Sequence, residues 1–510
     1  KPGGRWLHTQ ELVDPGDIYQ AVFQTNSTGS PRTFFYTVVS AQMDEIVFDH
    51  DIVICQSQSN AGNQDSRPQA WGKNMVGVGG VFHQNTLTTA DDSWSFGGSI
   101  GPADDGRIKP DLAHFYDNTR AASSASNSAY TSTFGGTSGA TPITAGHFGL
   151  FFQMWHAGLF GNSVGSSVFD SRPHSTTAKA MLINTASQWT FSGTGHDLTR
   201  VHQGWGRADV KTMYDLRNKM LIIDETDVLS NLQSTVYNVT VDPGEPALKA
   251  TLVYADVAGT TSSIQHRIND LTLKVTSPGG TVYWGNNGLN ANMWSTAGGS
   301  ANTVDTVENV FVQNPQAGSW TVEVIASEVN ADTHPETGAM DADYALVVSG
   351  VSGNLCAGVG PNFCTAKTAL TCGPSTIAGA GLPSASSSSG FTVSATPARG
   401  NRLGFLLYNT SSMPGVTFAQ SGTLCVQSGG IRRAGIVGSG GTPGACDGSF
   451  AIDMNAFAQG VHVPPAGTGT TNPAGFLSVP GTTVYCQMWG RDTIATGELL
   501  SDALSYVICP

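Results

Sequence analysis

Apolar and polar positions change their rhythm three times along the chain. In the first part, Ile46–Cys55 ends in a short apolar run that gives way to the turn-rich segment SQSNAGNQD. Val76–Phe82 is a second β-like run, Pro142–Trp155 is a long apolar stretch, and Thr177–Ala186 (TAKAMLINTA) reads as a helix. Strands alternating with helices predict an α/β layer structure with a largely parallel sheet over residues 1–222. From about 227 to 351 the texture becomes short β-rich runs divided by turns: STVYNVTV, ALKATLVY, LTLKVTS, TVYWG, VENVFVQ, SWTVEVIA and YALVVSG. Even spacing without a helical period predicts a jelly-roll β-sandwich over residues 223–351. Residues 352–388 run into SASSSSG and have the composition of a flexible linker. From 389 to 510, FTVSA, RLGFLLYN, TLCVQS, TTVYCQMWG and LSYVIC predict a second β-sandwich.

A length of 510 residues agrees with several domains rather than one. Charged residues are 12% of the chain, half the roughly 25% usual in soluble domains. That excludes a coiled coil and a charge-rich disordered chain. The net charge of −14 argues against a nucleic-acid partner, which needs a basic face. No apolar run reaches the 18 residues of a membrane-spanning helix. Residues 357–510 hold six basic and five acidic groups, so the acidic excess lies upstream.

Cysteine is skewed the other way. Cys55 stands alone early, while Cys356, Cys364, Cys372, Cys425, Cys446, Cys486 and Cys509 sit late. In a charge-poor, Gly/Ser/Thr-rich segment they predict disulfides and a secreted protein. No C-x-x-C pair suggests zinc. The odd count leaves one late thiol over. Sequence does not fix the connectivity, but Cys425 with Cys446 and Cys486 with Cys509 are attractive pairs. Each closes a loop of about 20 residues, worth roughly 3 kcal/mol.

The candidate chemistry centres on Gly135-Gly136-Thr137-Ser138-Gly139-Ala140-Thr141-Pro142. A serine among small residues that open an apolar helix has the ingredients of a nucleophile site. Glycine lets a substrate approach the backbone, and a helix N-terminus favours developing negative charge. Pro suits the first helical turn. On local chemistry alone, an N-capping serine in an ordinary loop is the commoner reading. The segment is not an α/β-hydrolase elbow, because Ala140 stands where that motif requires Gly.

Gly136–Pro142 followed by Ala145-Gly146 resembles the nucleophile signature of the subtilases, the subtilisin-like serine peptidases. Further blocks resemble the family in its order: Asn60-Ala61-Gly62-Asn63 after an apolar strand, Lys73–Gly79, Gly101–Leu112, Ala178–Ala186 and Gln203–Arg207. Together they cover most of residues 35–217. The resemblance implies that Ser138 is the nucleophile and that the Asn63 amide donates to the oxyanion beside the Ser138 backbone N–H. Taken alone, Asn63 also suits an Asx-turn. Asn26–Gly29 resembles the edge of the substrate-binding strand, which makes Ser27 and Gly29 candidate substrate contacts.

The family's Asp block and His-Gly-Thr block have no counterpart here. The histidines before Asn63 are His8 and His50, neither with the expected Gly neighbour. His147 lies nine residues along the helix from Ser138, about 13 Å at ~1.5 Å per residue, beyond hydrogen-bond reach. The expectation is therefore a secreted serine endopeptidase acting on peptide or protein substrates through an acyl-enzyme on Ser138. The triad Asp and His would lie in a catalytic segment upstream of Lys1, and the chain alone would be essentially inactive. The alternatives are a catalytically inactive subtilase-like binding or adhesion protein and an esterase using Ser138. Residues 248–350 resemble the jelly roll that follows some subtilase catalytic domains. No cofactor is required. Asp341 and Asp343 are candidate oxygen ligands of a structural calcium ion, with solvated acids the commoner fate. Tyr408, Tyr485 and Trp489 are candidates for a carbohydrate-binding platform, with core packing the commoner fate.

Overall fold

The structure is a computed structural model. It describes residues 21–508 except 163–164, 193–196, 353–358, 361, 369, 382, 386, 419–421, 466–471, 480–481 and 493–496. His8, Cys356 and Cys509 lie outside the described residues. Among the described residues the regular structure is mostly β-sheet, with few helices and one parallel sheet.

The parallel sheet contains β1 (Phe23–Asn26), β2 (Val53–Ser57), β3 (Val76–Val81) and β4 (Leu112–Phe115), in that order. Every residue of β2 and β3 is buried, which is why both read as unbroken runs rather than alternating ones. Around the sheet lie α1 (Val38–His50), α2 (Thr137–His156), α3 (Ser175–Asn184), α4 (Arg200–Gln203) and α5 (Val210–Leu216). A capping box starts α1: the Thr37 hydroxyl accepts from the Val39 N–H, and Ser40 Oγ accepts from the Thr37 N–H. A hairpin, β5 (Thr119–Ala122) with β6 (Tyr130–Phe134), leads into α2. Phe148, Phe151, Phe152 and Trp155 of α2 are buried.

Two antiparallel four-stranded sheets follow. Their strands are β7 (Met220–Ser230), β8 (Ser234–Val241), β9 (Ala247–Val253), β10 (Asp270–Thr276), β11 (Val282–Trp284), β12 (Val307–Gln313), β13 (Gly318–Glu328) and β14 (Asp341–Ser349), ordered β11-β10-β13-β8 and β12-β9-β14-β7. The sheets share a core that includes Leu252, Leu271, Val310, Trp320, Val324 and Leu346. Alternate residues of the second sheet point the other way: Val253, Val307, Phe311, Ala345 and Val347 join a core with Phe148, Met181 and Trp205. All ten residues of α3 are buried. The Asn184 amide of α3 donates to Lys249 O, Thr251 Oγ1 and Val347 O, each at 3.1 Å. The segments 1–222 and 223–351 therefore share one core, and the first compact unit runs to Gly353. Charge crosses the junction as well. Lys73 Nζ donates to Asp256 Oδ2 at 2.5 Å, Val257 O at 2.5 Å and His266 O at 2.8 Å, with both charged side chains fully buried.

The second unit contains β15 (Thr376–Gly381), β16 (Phe391–Ala398), β17 (Leu403–Asn409), β18 (Ser412–Phe418), β19 (Gly422–Val426), β20 (Arg432–Arg433), β21 (Val437–Gly438), β22 (Gly448–Asp453), β23 (Thr483–Arg491) and β24 (Glu498–Val507). A short helix, α6 (Met454–Ala458), follows β22. Sheets β15-β16-β22 and β20-β17-β23-β24 enclose Phe391, Leu406, Tyr408, Phe450, Met488 and Leu504. Hairpin β18–β19 packs on the other face of β17 and β24 through Leu407, Leu424, Val426 and Leu500.

Several expectations change in this unit. Residues 352–388 are not simply a linker: β15 pairs with β16 along its whole length, and Cys364 and Cys372 are cross-linked to the sandwich. The expected pair Cys425–Cys446 does not form, and Cys509, the expected partner of Cys486, lies outside the described residues. Cys364 bonds Cys425 and Cys372 bonds Cys446, while Cys486 is a free, buried thiol. Cys486 points into the sandwich core beside Tyr506. Tyr408 is fully buried, Tyr485 packs edge-on against Phe363, and only Trp489 borders an open groove.

Candidate active site

Ser138 is the second residue of α2, and the turn before it is held by three segments. Gly136 adopts φ 82°, a left-handed conformation that glycine tolerates, and a Cβ there would stand 3.2 Å from the Asn60 amide. Its N–H donates to Tyr116 O at 2.6 Å, one residue beyond β4. Asn60 Oδ1 accepts from the Thr137 N–H at 2.9 Å and the Thr137 hydroxyl at 3.1 Å. That satisfies one orphan donor of the helix start. Thr137 Oγ1 also accepts from the Ser59 N–H at 3.2 Å. The backbone N–H of Ser138 makes no hydrogen bond among the described residues.

Ser27 follows β1 directly and meets the nucleophile turn. Ser27 Oγ donates to Ser138 O at 3.2 Å, and Ser138 Oγ donates to Ser27 O at 3.5 Å. Ser138 thus lies outside the carboxyl ends of β1 and β2, where open α/β sheets hold their ligands. Gly29 lies against Gln69 and Arg67: a Cβ there would come within 2.7 Å of Gln69 Oε1. Asn63 is exposed, and its Oδ1 accepts from the Asp65 N–H at 2.8 Å, an Asx-turn. Its side-chain NH₂ makes no hydrogen bond among the described residues. Sequence reasoning passed over Asn60 as a site residue, because its role is a contact with residues 77 positions away.

Among the described residues, no imidazole or carboxylate lies within hydrogen-bond distance of Ser138 Oγ. His50 ends α1, and His147 Nδ1 lies 2.8 Å from Ile143 O within α2. An Asp–His pair does stand near the turn. His83 Nδ1 lies 2.7 Å from Asp117 Oδ1, and the His83 ring stacks on Phe115. The register Val81↔Phe115 places His83 beside Asp117 two positions on. This pairing was readable only once β3 and β4 were known to be parallel neighbours. Burial pushes the His114 imidazole well below its ordinary value, so it stays neutral.

Asp341 and Asp343 lie on β14. Asp341 Oδ2 accepts from the Thr337 hydroxyl at 3.2 Å, and its Oδ1 lies 3.4 Å from His334 Nδ1. Asp343 faces a cavity of about 560 Å³ with Asp51, His174, Glu225 and Glu336. Burial, then the Glu225 charge, pushes its carboxyl up to about 8. His174 Nδ1 bridges Asp51 at 3.0 Å and Glu225 at 2.8 Å, and those two bonds raise it to about 11. Among the described residues no three His, Cys, Asp or Glu side chains converge as a metal-binding set.

No protein-family model matches the chain, and no curated protein matches it in sequence. Solved structures resemble part of it at low similarity. The prenylagaramide maturation protease PagA is 15% identical, with a TM-score of 0.29 over 38% of this chain and 61% of that one. The self-cleaved protease domain of PatA is 15% identical, with a TM-score of 0.29 over 39% of this chain and 62% of that one. A lanthipeptide protease is 14% identical, with a TM-score of 0.28 over 39% and 62%. The chain spans about six-tenths of the length of these structures.

Proposed function

We propose that this chain is the nucleophile-bearing part of a secreted subtilisin-like serine endopeptidase. The observation that carries the reading is the turn at Ser138: a hydroxyl outside the strand ends, a free backbone N–H at the start of a 20-residue helix, and the free NH₂ of Asn63 in the turn after β2. In this reading Ser138 Oγ attacks the scissile carbonyl carbon and gives its proton to a general base. The tetrahedral oxyanion is received by the Ser138 N–H and the Asn63 amide, a donor set whose loss typically costs roughly 10²–10³ in turnover. The C–N bond then breaks, and the base returns the proton to the leaving amine. Water repeats the sequence to free Ser138. The substrate backbone runs along Ser27–Gly29 at the exposed edge of β1.

The base and its orienting carboxylate come, in this proposal, from a segment outside these 510 residues. Without them Ser138 is an ordinary alcohol bonded to a carbonyl. That same bond favours the second reading, a non-catalytic binding protein. A fluorophosphonate serine probe separates them. The chain alone is expected to label at background. The chain carrying its natural upstream sequence is expected to label on Ser138, with labelling abolished by Ser138→Ala. Robust peptide turnover by the chain alone, abolished by Ser138→Ala, would overturn the split of the triad. No labelling in either form leaves the binding protein.

A further inference from the structure

The second unit holds a groove of about 360 Å³ at one end of the β20-β17-β23-β24 sheet. Sandwich strands send alternate residues to opposite faces. Leu406, Tyr408 and Met488 therefore enter the core, while Phe405 and Trp489, paired across β17 and β23, face outward. Hairpin β18–β19 covers that outer face over Leu407 and Leu500. Beyond it Phe405 and Trp489 stack with centroids 4.6 Å apart and planes at 20°. Arg402 and Arg491 line the groove, and the Arg433 guanidinium lies 4.9 Å from the Phe405 ring centre.

The charge here is unbalanced. None of these three guanidinium groups has a hydrogen bond or ion pair among the described residues, and Arg402 Nε is buried without a partner. Four of the five acids of this unit are engaged elsewhere. Asp453 caps α6, Asp447 accepts from the Thr442 N–H, Asp502 accepts from the Ile377 N–H, and Asp492 accepts from Thr371. Glu498 stands opposite Arg491 across the β23–β24 ladder but forms no ion pair with it. Uncompensated arginine forks match carboxylates bidentately, and the Trp489 ring beside them, held flat by its stack on Phe405, suits an apolar ring face. The groove holds one or two rings, at the small end of ligand pockets. A nucleic acid needs a longer basic track than these arginines supply.

We infer that this groove binds a carboxylated polysaccharide, a uronic-acid chain whose carboxylates seat on Arg402 and Arg491 while a sugar face lies against the Trp489 ring on the side away from Phe405. The inference is independent of the chemistry at Ser138. The test is native-gel affinity electrophoresis of the full chain with polygalacturonate, neutral dextran or oligo(dT) in the gel. Retardation by polygalacturonate and none by dextran is expected. Arg402→Gln/Arg491→Gln should weaken the apparent affinity at least tenfold. The exposed single variant Arg491→Gln should weaken it several-fold if the double variant fails to fold. Arg432→Gln, outside the groove, should leave it unchanged. No retardation by polygalacturonate, equal retardation of wild type and Arg491→Gln, or stronger retardation by oligo(dT) would each overturn the inference.

Discussion

Lys73→Met should be among the most damaging single substitutions in the first unit. Lys73 uses all three ammonium protons, on the Asp256 carboxylate and on the carbonyls of Val257 and His266. Asp256 also accepts from the Ile268 N–H at 2.8 Å and the Asn269 N–H at 3.0 Å. Methionine fills most of the lysine volume, so the loss is electrostatic rather than a cavity. It strands a fully buried carboxylate with two backbone donors and orphans two carbonyls. Breaking one half of a buried pair costs about 3–5 kcal/mol. With an unfolding entropy of roughly 2 cal/mol/K per residue, a unit of about 330 residues would melt some 4–7 °C lower. Asp256→Asn should cost a similar amount, because its NH₂ must face one of two N–H donors. The double variant should cost about 2 kcal/mol or more less than the sum, since each change removes the other's stranded group. Guanidinium unfolding followed by tryptophan fluorescence reads all four proteins. A Lys73→Met cost under about 1 kcal/mol, or additivity within about 0.5 kcal/mol, would refute the reasoning.

Further outcomes follow from other sites. The His174 imidazolium, raised to about 11, contributes stability that is full below its unfolded value of roughly 6.5 and lost as pH rises through 11. Asp343, raised to about 8, adds a penalty on ionisation that grows as pH rises from about 4 to 8. Both act in the same direction, so stability should fall between pH 5 and 9. The His174 side chain is 45% exposed, and screening holds its share to about 1 kcal/mol. His174→Gln should flatten the denaturant midpoint against pH. Gly136→Ala forces a Cβ against Asn60 at φ 82° and should cost about 1–3 kcal/mol in the same unfolding assay. Burial pushes the Cys55 and Cys486 thiols up, so iodoacetamide should label neither in the native chain and both after denaturation. Peptide mapping without reduction should recover Cys364–Cys425 and Cys372–Cys446.

What the sequence revealed depended on how far apart the interacting residues were. Strands β2 and β3 were legible because burial on both faces writes short apolar runs, and β9, β12 and β14 because their β-rich runs are set off by turns. Strand β1 was not: Phe-Gln-Thr-Asn on a half-buried edge has no period to read. Ser138 stood out through its small neighbours, but Asn60 needed the contact across 77 residues. Short loops made Cys425–Cys446 attractive, yet closure entropy grows only slowly with loop length. The fold instead brought together cysteines 61 and 74 residues apart. Lys73 and Asp256, 183 residues apart, carry no mutual signal at all.

The two cross-links of the second unit overlap: the loop closed by Cys364 and Cys425 interleaves with that closed by Cys372 and Cys446. Every peptide bond between residues 364 and 446 is therefore bypassed by at least one covalent detour. A protease that nicks the Ser-rich stretch between β15 and β16 severs the main chain without releasing a fragment. The cut molecule keeps its mass on a non-reducing gel and separates only after reduction. This wiring turns single cuts from dismantling events into scars.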